Sequence, residues 1–291
     1  MSAARNRLFC FGLGYSARAL AARLIVEGWS VAGTHRAGES VAAPGIEALA
    51  FDTERPLDEP GRALAGTTHL LTSVPPGDAG DPVLDHHAGD IAAIEGLRWI
   101  GYLSATSVYG DRGGAWVDES AVLSPTSARG QRRVAAEQAW LELGRDHGIP
   151  VHVFRLSGIY GPGRSVLDQV RAGAAKRIDK PGHLFSRIHV DDIARVLRAS
   201  MAAPDAGAVY NVCDDEPASS ADVTARACQL LRVDPPPLVP FEEAARAFSP
   251  MARSFWTDNR RVSNAKMHAE LGITLQYPSY REGLKAIADG G

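Results

Sequence analysis

Residues 8–28, LFCFGLGYSARALAARLIVEG, decide how the chain folds. An apolar run of strand length ends at Gly12. A helical stripe follows, in which Ala17, Leu20, Ala21, Leu24 and Ile25 recur at i, i+3, i+4, i+7 and i+8 before Gly28 closes it. Between strand and helix stands Gly12-Leu13-Gly14-Tyr15-Ser16-Ala17, a G-x-G-x-x-A turn. In that setting Gly12 permits the tight turn, Gly14 lets the backbone approach a pyrophosphate, and Ala17 keeps the helix close to the strand. The N–H groups of the helix start, at Tyr15 and Ser16, then face phosphate.

Outward from this unit, short apolar runs at 30–33, 46–51, 69–74, 99–104, 151–156 and 208–212 alternate with helical patterns. Strands alternating with helices imply a parallel sheet covered on both faces, an α/β doubly wound architecture. The second strand ends Val31-Ala-Gly-Thr34-His35-Arg36. A dinucleotide fold selective for NAD places an acid there on the ribose hydroxyls, whereas Thr34 and the cation Arg36 favour a 2′-phosphate. The expected cofactor is therefore NADP, with NAD as the alternative. Ser73 and Ser104, late in the strands at 69–74 and 99–104, join the expected cofactor contacts. The stretch 75–82, PPGDAGDP, is a loop by composition, and 234–240, DPPPLVP, is a stiff connector into a tail of helical character.

The bulk numbers exclude several functions. A chain of 291 residues, 45% hydrophobic, can bury a full core. A formal net charge of −3 gives no field to recruit nucleic acid or an anionic membrane. Cys10, Cys213 and Cys228 have no metal-like spacing and read as buried thiols in a reducing compartment, with no metal site expected. The start, MSAARNR, runs into too short an apolar stretch for a signal sequence, and no run approaches the ~18 apolar residues of a membrane span. A cytoplasmic protein is expected.

The run 103–137 holds LSATSVYG, then DES, then SPTSARGQRRVAAEQ. It resembles the middle of an extended short-chain dehydrogenase/reductase, the family of nucleotide-sugar epimerases and dehydratases. That family ends a strand in S-S-x-x-V-Y-G, then has a proline, then Y-G-x-x-K with a glutamate four residues on. The resemblance implies a Rossmann dinucleotide-binding sheet with a small C-terminal substrate lobe. Pro125, Gly130 and Glu137 fall on the frame, while the tyrosine position is Arg129 and the lysine position is Arg133. An arginine holds its proton far above neutrality and cannot serve as the acid/base. Two readings of the pair stay open. One is a structural Arg133–Glu137 pair with Arg129 turned outward; the other is a two-arginine clamp for phosphate or carboxylate. Arg133 is also placed to donate to the nicotinamide ribose. The family's catalytic serine position is Ala105, and the dehydratase Asp-Glu position is Thr106-Ser107, so elimination by a carboxylate is not expected. Thr106, Tyr109 and Arg133 remain as catalytic candidates, with Tyr109 more readily a support of the fold.

On the substrate side, Phe154-Arg155-Leu-Ser-Gly158-Ile-Tyr160-Gly-Pro resembles the family's R-x-x-N-V-Y-G-P, and Arg187-Ile-His189-Val-Asp191-Asp192 its H-V-D-D element. Arg129, Tyr160 and Arg187 are the expected substrate contacts. Asp191 or Asp192 reads as a helix cap, His189 as a structural histidine, and Tyr210-Asn211-Val-Cys213 as a structural strand. The expected layout is a dinucleotide-binding domain over 1–157 and a mixed region over 158–291. Within the latter, 188–231 completes the sheet, while 158–187 and 235–291 build the lobe. Function divides between an NADP-dependent oxidoreductase or epimerase-like enzyme on an anionic small molecule and a non-catalytic NADP-binding sensor or interaction protein. A homo-oligomer is left open.

Overall fold

A computed structural model describes residues 6–36 and 44–290. Residues 1–5, part of the start read above, lie outside the described residues. The central sheet has seven strands: β1 (Arg7–Phe11), β2 (Ser30–His35), β3 (Ile46–Ala50), β4 (His69–Thr72), β5 (Trp99–Ala105), β6 (Val151–Leu156) and a last strand, Val209–Val212. Among the short strands that precede that last one are β7 (Gly158–Tyr160) and β8 (Arg187–His189), and Val209–Val212 is β9. The sheet order is β9-β6-β5-β4-β1-β2-β3, and the β1–β2, β1–β4, β2–β3 and β4–β5 pairs are all parallel. Chain direction across the sheet reverses between β1 and β4, which is the point where a doubly wound sheet opens a crevice at its carboxyl ends. The expected fold class is found.

The helices that matter here are α1 (Tyr15–Val26), α2 (Pro82–Ala92), α3 (Ala128–His147), α4 (Val190–Ala202), α5 (Ser220–Leu231) and α6 (Tyr280–Ala288). In α1, Ala17, Leu20, Ala21 and Leu24 are buried as the periodicity predicts. Helix α2 starts at Asp81-Pro82: the Asp81 carboxylate accepts from the Val83 and Leu84 amides, and proline occupies the first turn, where its missing N–H is harmless. The run 69–74 leaves the sheet at Thr72, because Ser73 turns toward the glycine loop. The tail after 235 is less helical than expected. It breaks into segments of two to seven residues before α6, including a short strand Leu238–Pro240 and another at Arg261–Val262. Prolines at 235–237, 240, 250 and 278 interrupt any longer helix.

The chain forms two compact units. The first comprises Met1–Ala105, Gln131–Arg155 and Ile193–Tyr210; the second comprises Thr106–Gly130, Leu156–Asp192 and Asn211–Gly291. The first has a core of Phe9, Phe11, Phe51, Leu70, Ile100, Tyr102, Trp140 and Val153, among others. The second packs Tyr160, Leu167, Val223, Ala227, Tyr280, Leu284 and Ile287 together. Among the described residues no helix is long and apolar enough to cross a membrane.

Candidate functional site

The glycine loop is held by two hydroxyls. Gly12 has φ of +87°, its amide donates to Thr34 Oγ1 at 2.8 Å, and its carbonyl accepts from Ser73 Oγ at 2.8 Å. A Cβ on Gly12 would sit 2.8 Å from Ser73 Oγ, so both backbone and packing demand glycine there. Gly14 differs. It is exposed, has an ordinary extended backbone (φ −75°, ψ −172°), and a Cβ there would meet nothing nearer than Ser73 Oγ at 3.8 Å. Nothing in the protein's own packing requires a glycine at 14. No side chain caps α1 at this end, and its first turn holds no acid. A bare residue at a helix start, at the carboxyl edge of a parallel sheet, is the cradle that a pyrophosphate needs.

The expected cofactor residues divide accordingly. Thr34 is buried with its hydroxyl committed to Gly12, so it shapes the loop. Ser73 does the same from the opposite side. Ser16 and Ala17 are buried against the sheet, and Arg36 is exposed at the last described position before residue 44. The strand register aligns Phe11, Thr72 and Tyr102, so Gly12, Ser73 and Leu103 follow in one row along the edge. At two strand spacings, β5 lies about 10 Å from β1. There Arg133 Nη1 donates to the Leu103 carbonyl at 2.9 Å. The Arg133–Glu137 pair is not formed. Glu137 is buried against Arg155 of β6, which meets both its oxygens through Nε at 3.2 Å and adds Nη2 to Oε2 at 2.8 Å. Ser104 Oγ donates to the same carboxylate, which commits it away from a ligand. Helical spacing made Glu137 a neighbour of Arg133; the sheet supplied a better-placed cation.

Beside Arg133, the Tyr102 hydroxyl is buried without a hydrogen-bond partner, and burial raises its phenol further above its ordinary range, with Arg133 opposing. Asp81 is also buried here: it caps α2 and accepts from Trp140 Nε1 at 3.0 Å, with burial raising its carboxyl. Arg132 pairs with Asp78 of the 75–82 loop at 3.1 Å. Sequence reasoning missed Asp81 and Trp140, although Asp before Pro was a legible start signal.

In the second unit, Thr106 and Tyr109 lie on one tight helical turn, both buried, and the Tyr109 hydroxyl donates to Asn211 Oδ1 at 2.7 Å. Arg129 is exposed, in the first turn of α3. Gly130 is glycine because a Cβ would lie 2.7 Å from Pro125 Cβ and 2.9 Å from the Ser107 carbonyl. Tyr160 is buried over the bare backbone of Gly283 and edge-on to His189, with ring centroids 5.2 Å apart. Arg187 is committed to backbone carbonyls, described below. Asp192, in the first turn of α4, accepts from the Gln276 and Tyr277 amides at 2.7 and 2.9 Å and so pins a distant loop. His189 Nδ1 accepts from the Asp191 amide at 3.2 Å, while its Nε2 is buried without a partner. Among the described residues, no group of three or more His, Cys, Asp or Glu is placed to hold a metal ion.

Residues 87–213 match the model of the NAD dependent epimerase/dehydratase family. The chain is 28% identical over 282 residues to protein YeeZ of Escherichia coli strain K12, covering 92% of this chain and 94% of that protein. It is 27% identical over 238 residues to a 3-diazoavenalumate denitrifying reductase of a Streptomyces species, covering 78% of this chain and 74% of the reductase. A solved structure of a functionally unknown conserved protein from Silicibacter pomeroyi is 50% identical, with a TM-score of 0.88, over 98% of this chain and 99% of that one.

Proposed function

We propose that this chain, which matches the NAD dependent epimerase/dehydratase family over residues 87–213, acts as a member of that family, binding NADP(H) and exchanging hydride with an anionic small molecule in the cytoplasm. The observation that carries the reading is Gly14, a residue kept bare at a helix start for no reason internal to the fold. A side chain there would fill the space a pyrophosphate takes, whereas Gly12 is already explained by its own turn. Thr34 and Ser73 fix the loop so that Gly14 and the first turn of α1 are presented together. Arg36, in place of an acid, suits a 2′-phosphate. NADPH, when bound, supplies the hydride.

The chain's own residues supply charge more readily than a proton. Arg133 holds its position on the Leu103 carbonyl, at the same strand edge as Gly12, with guanidinium donors beyond that bond. A charge-assisted hydrogen bond from Arg133 to an oxygen of the substrate would stabilise negative charge developing there. An arginine does not deliver a proton near neutrality, so the proton comes from water or from the substrate itself. A second reading, an NADP-binding sensor without turnover, is favoured by one specific fact. The Ser104 and Tyr109 hydroxyls, the nearest family-like donors, are both committed inside the fold.

One assay separates the two. NADPH is titrated into the wild-type protein, and its oxidation is then followed with a panel of 2-oxo acids and with UDP-glucose. The enzyme reading expects micromolar binding and turnover of a carboxylate-bearing carbonyl compound, with little on UDP-glucose. Tight binding with no turnover on any acid selects the sensor, and no binding refutes both.

A further inference from the structure

Asp214 is 1% exposed, and neither of its carboxylate oxygens has a hydrogen-bond partner. Buried carboxylates almost always find one, because a bare charge inside a protein is strongly unfavourable. The cation beside it is Arg187 of β8, whose carbonyl accepts from the Asp214 amide at 2.6 Å. Yet the Arg187 guanidinium is turned elsewhere. Its Nη1 donates to the carbonyl oxygens of Phe185 and Ala218, at 2.8 and 2.9 Å. Those two residues form an isolated antiparallel bridge, with N–H···O bonds of 3.0 and 3.1 Å in the two directions. One guanidinium therefore clamps the joint where the segment entering β8 meets the segment entering α5.

We propose that Asp214 and Arg187 form a pH-sensitive clamp in the second unit. While Asp214 keeps its proton, Arg187 stays on the Phe185 and Ala218 carbonyls; when Asp214 gives that proton to solvent, its carboxylate draws the guanidinium away and the joint loosens.

The surroundings support this division. Burial, opposed chiefly by the Arg187 charge, raises the Asp214 acid to about 8 from 3.8. Asp215, next in the chain, raises it further, while Glu216 is held in an ion pair by Arg281. From β7, the buried Tyr160 phenol stays protonated, held up by burial and then by Asp214. Tyr280 of α6 faces Arg187, and burial raises its phenol as well. His189, two residues along β8, faces Asp191 and Asp192 instead. Among the described residues, Arg187 is the cation that acts most strongly on Asp214. In the opened joint Asp214 is solvated and ionises at its ordinary value, whereas in the closed joint it does not. Opening becomes easier as pH rises from about 4 toward 8, and the dependence levels off above that.

Hydrogen exchange at the Phe185, Asp214 and Ala218 amides, corrected for intrinsic rates, reads this directly in the full chain. Between pH 6 and 8 the wild type should lose protection by up to tenfold per pH unit. Asp214→Asn, which mimics the protonated acid, should keep those amides protected across the range. An unchanged pH dependence in Asp214→Asn overturns the clamp. So does a joint already open in that variant at pH 7, since Asp214 would then act as an ionised acceptor. If Asp214→Asn does not fold, infrared spectroscopy of the wild type decides. A buried carboxylic-acid band that titrates near pH 8 supports the clamp, and absence of such a band refutes it.

Discussion

Between β1 and α1, side chains serve the backbone. Thr34 and Ser73 are committed to Gly12, and the consequence is an exposed, bare Gly14 ready for a ligand. In the first turns of α3 the arrangement is reversed. The backbone frame is fixed by Gly130 against Pro125 and by the Glu137–Arg155–Ser104 cluster, and the side chains left around it are arginines: Arg129 exposed, Arg132 on Asp78 and Arg133 on the Leu103 carbonyl. The difference teaches where function resides in each region. In the loop it lies in backbone geometry, which a short motif specifies. On the helix it lies in side-chain identity, which can change while the frame stays intact.

The comparison can be broken most sharply at the helix. Arg155→Met should cost about 3–5 kcal/mol, because it leaves the Glu137 charge buried and unpaired. Arg133→Met should cost about 1–2 kcal/mol, since the bond to the Leu103 carbonyl and the interaction with the Tyr102 hydroxyl are lost. Equal losses in chemical denaturation would show that Arg133 belongs to the frame and does not face a ligand.

Acid should come next, and it acts on the packed parts of the first unit. Burial holds the His69 and His152 imidazoles down to about 4 from 6.5, with Arg98 and Arg198 adding to the effect at His69. His152 Nε2 accepts from the Asp205 amide at 2.8 Å, so the ring is neutral and a second proton would oppose that donor. The unfolded chain binds these protons between pH 6.5 and 4 and the folded one does not. Their contribution is complete above about 6.5 and is lost as pH falls toward 4. Thermal unfolding across that window checks it: a flat melting temperature in wild type would contradict the burial of both rings.

Smaller effects sharpen the loop side. Thr34→Val should cost about 1–2 kcal/mol, because the Gly12 amide loses its acceptor in a partly buried turn, and NADPH affinity should fall with it. Stability equal to wild type in denaturant titration would mean the loop does not depend on that hydroxyl. Arg36→Glu should weaken NADP by about 1 kcal/mol while leaving NAD nearly unchanged. Competitive titration of the two cofactors measures the split, and an equal change for both would remove Arg36 from the 2′-phosphate.

How much of this was legible follows the same line. The strand at 151–156 is found to the residue, and the stripe in α1 buries Ala17, Leu20, Ala21 and Leu24 and half-buries Ile25, because both patterns are local. The partner of Glu137 was not legible: Arg133 is one turn away along the helix, while Arg155 arrives from a strand eighteen residues on. Thr34 reads with Arg36 as a cofactor residue suited to a 2′-phosphate, but the partner of its hydroxyl, the Gly12 amide, is set by strand pairing between β1 and β2. Asp192 reads as a cap because it stands at a helix start, and only the fold brings the Gln276 and Tyr277 amides to it as well. Local order was readable; the choice among several long-range polar partners was not.

The central claim is that Gly14 is bare for a ligand and not for the fold. Calorimetric NADPH titration of Gly14→Asp, with its melting temperature measured alongside, tests it most directly. The account predicts an unfolding temperature close to wild type and an affinity lower by at least a hundredfold. Unchanged affinity in a folded Gly14→Asp protein would contradict it.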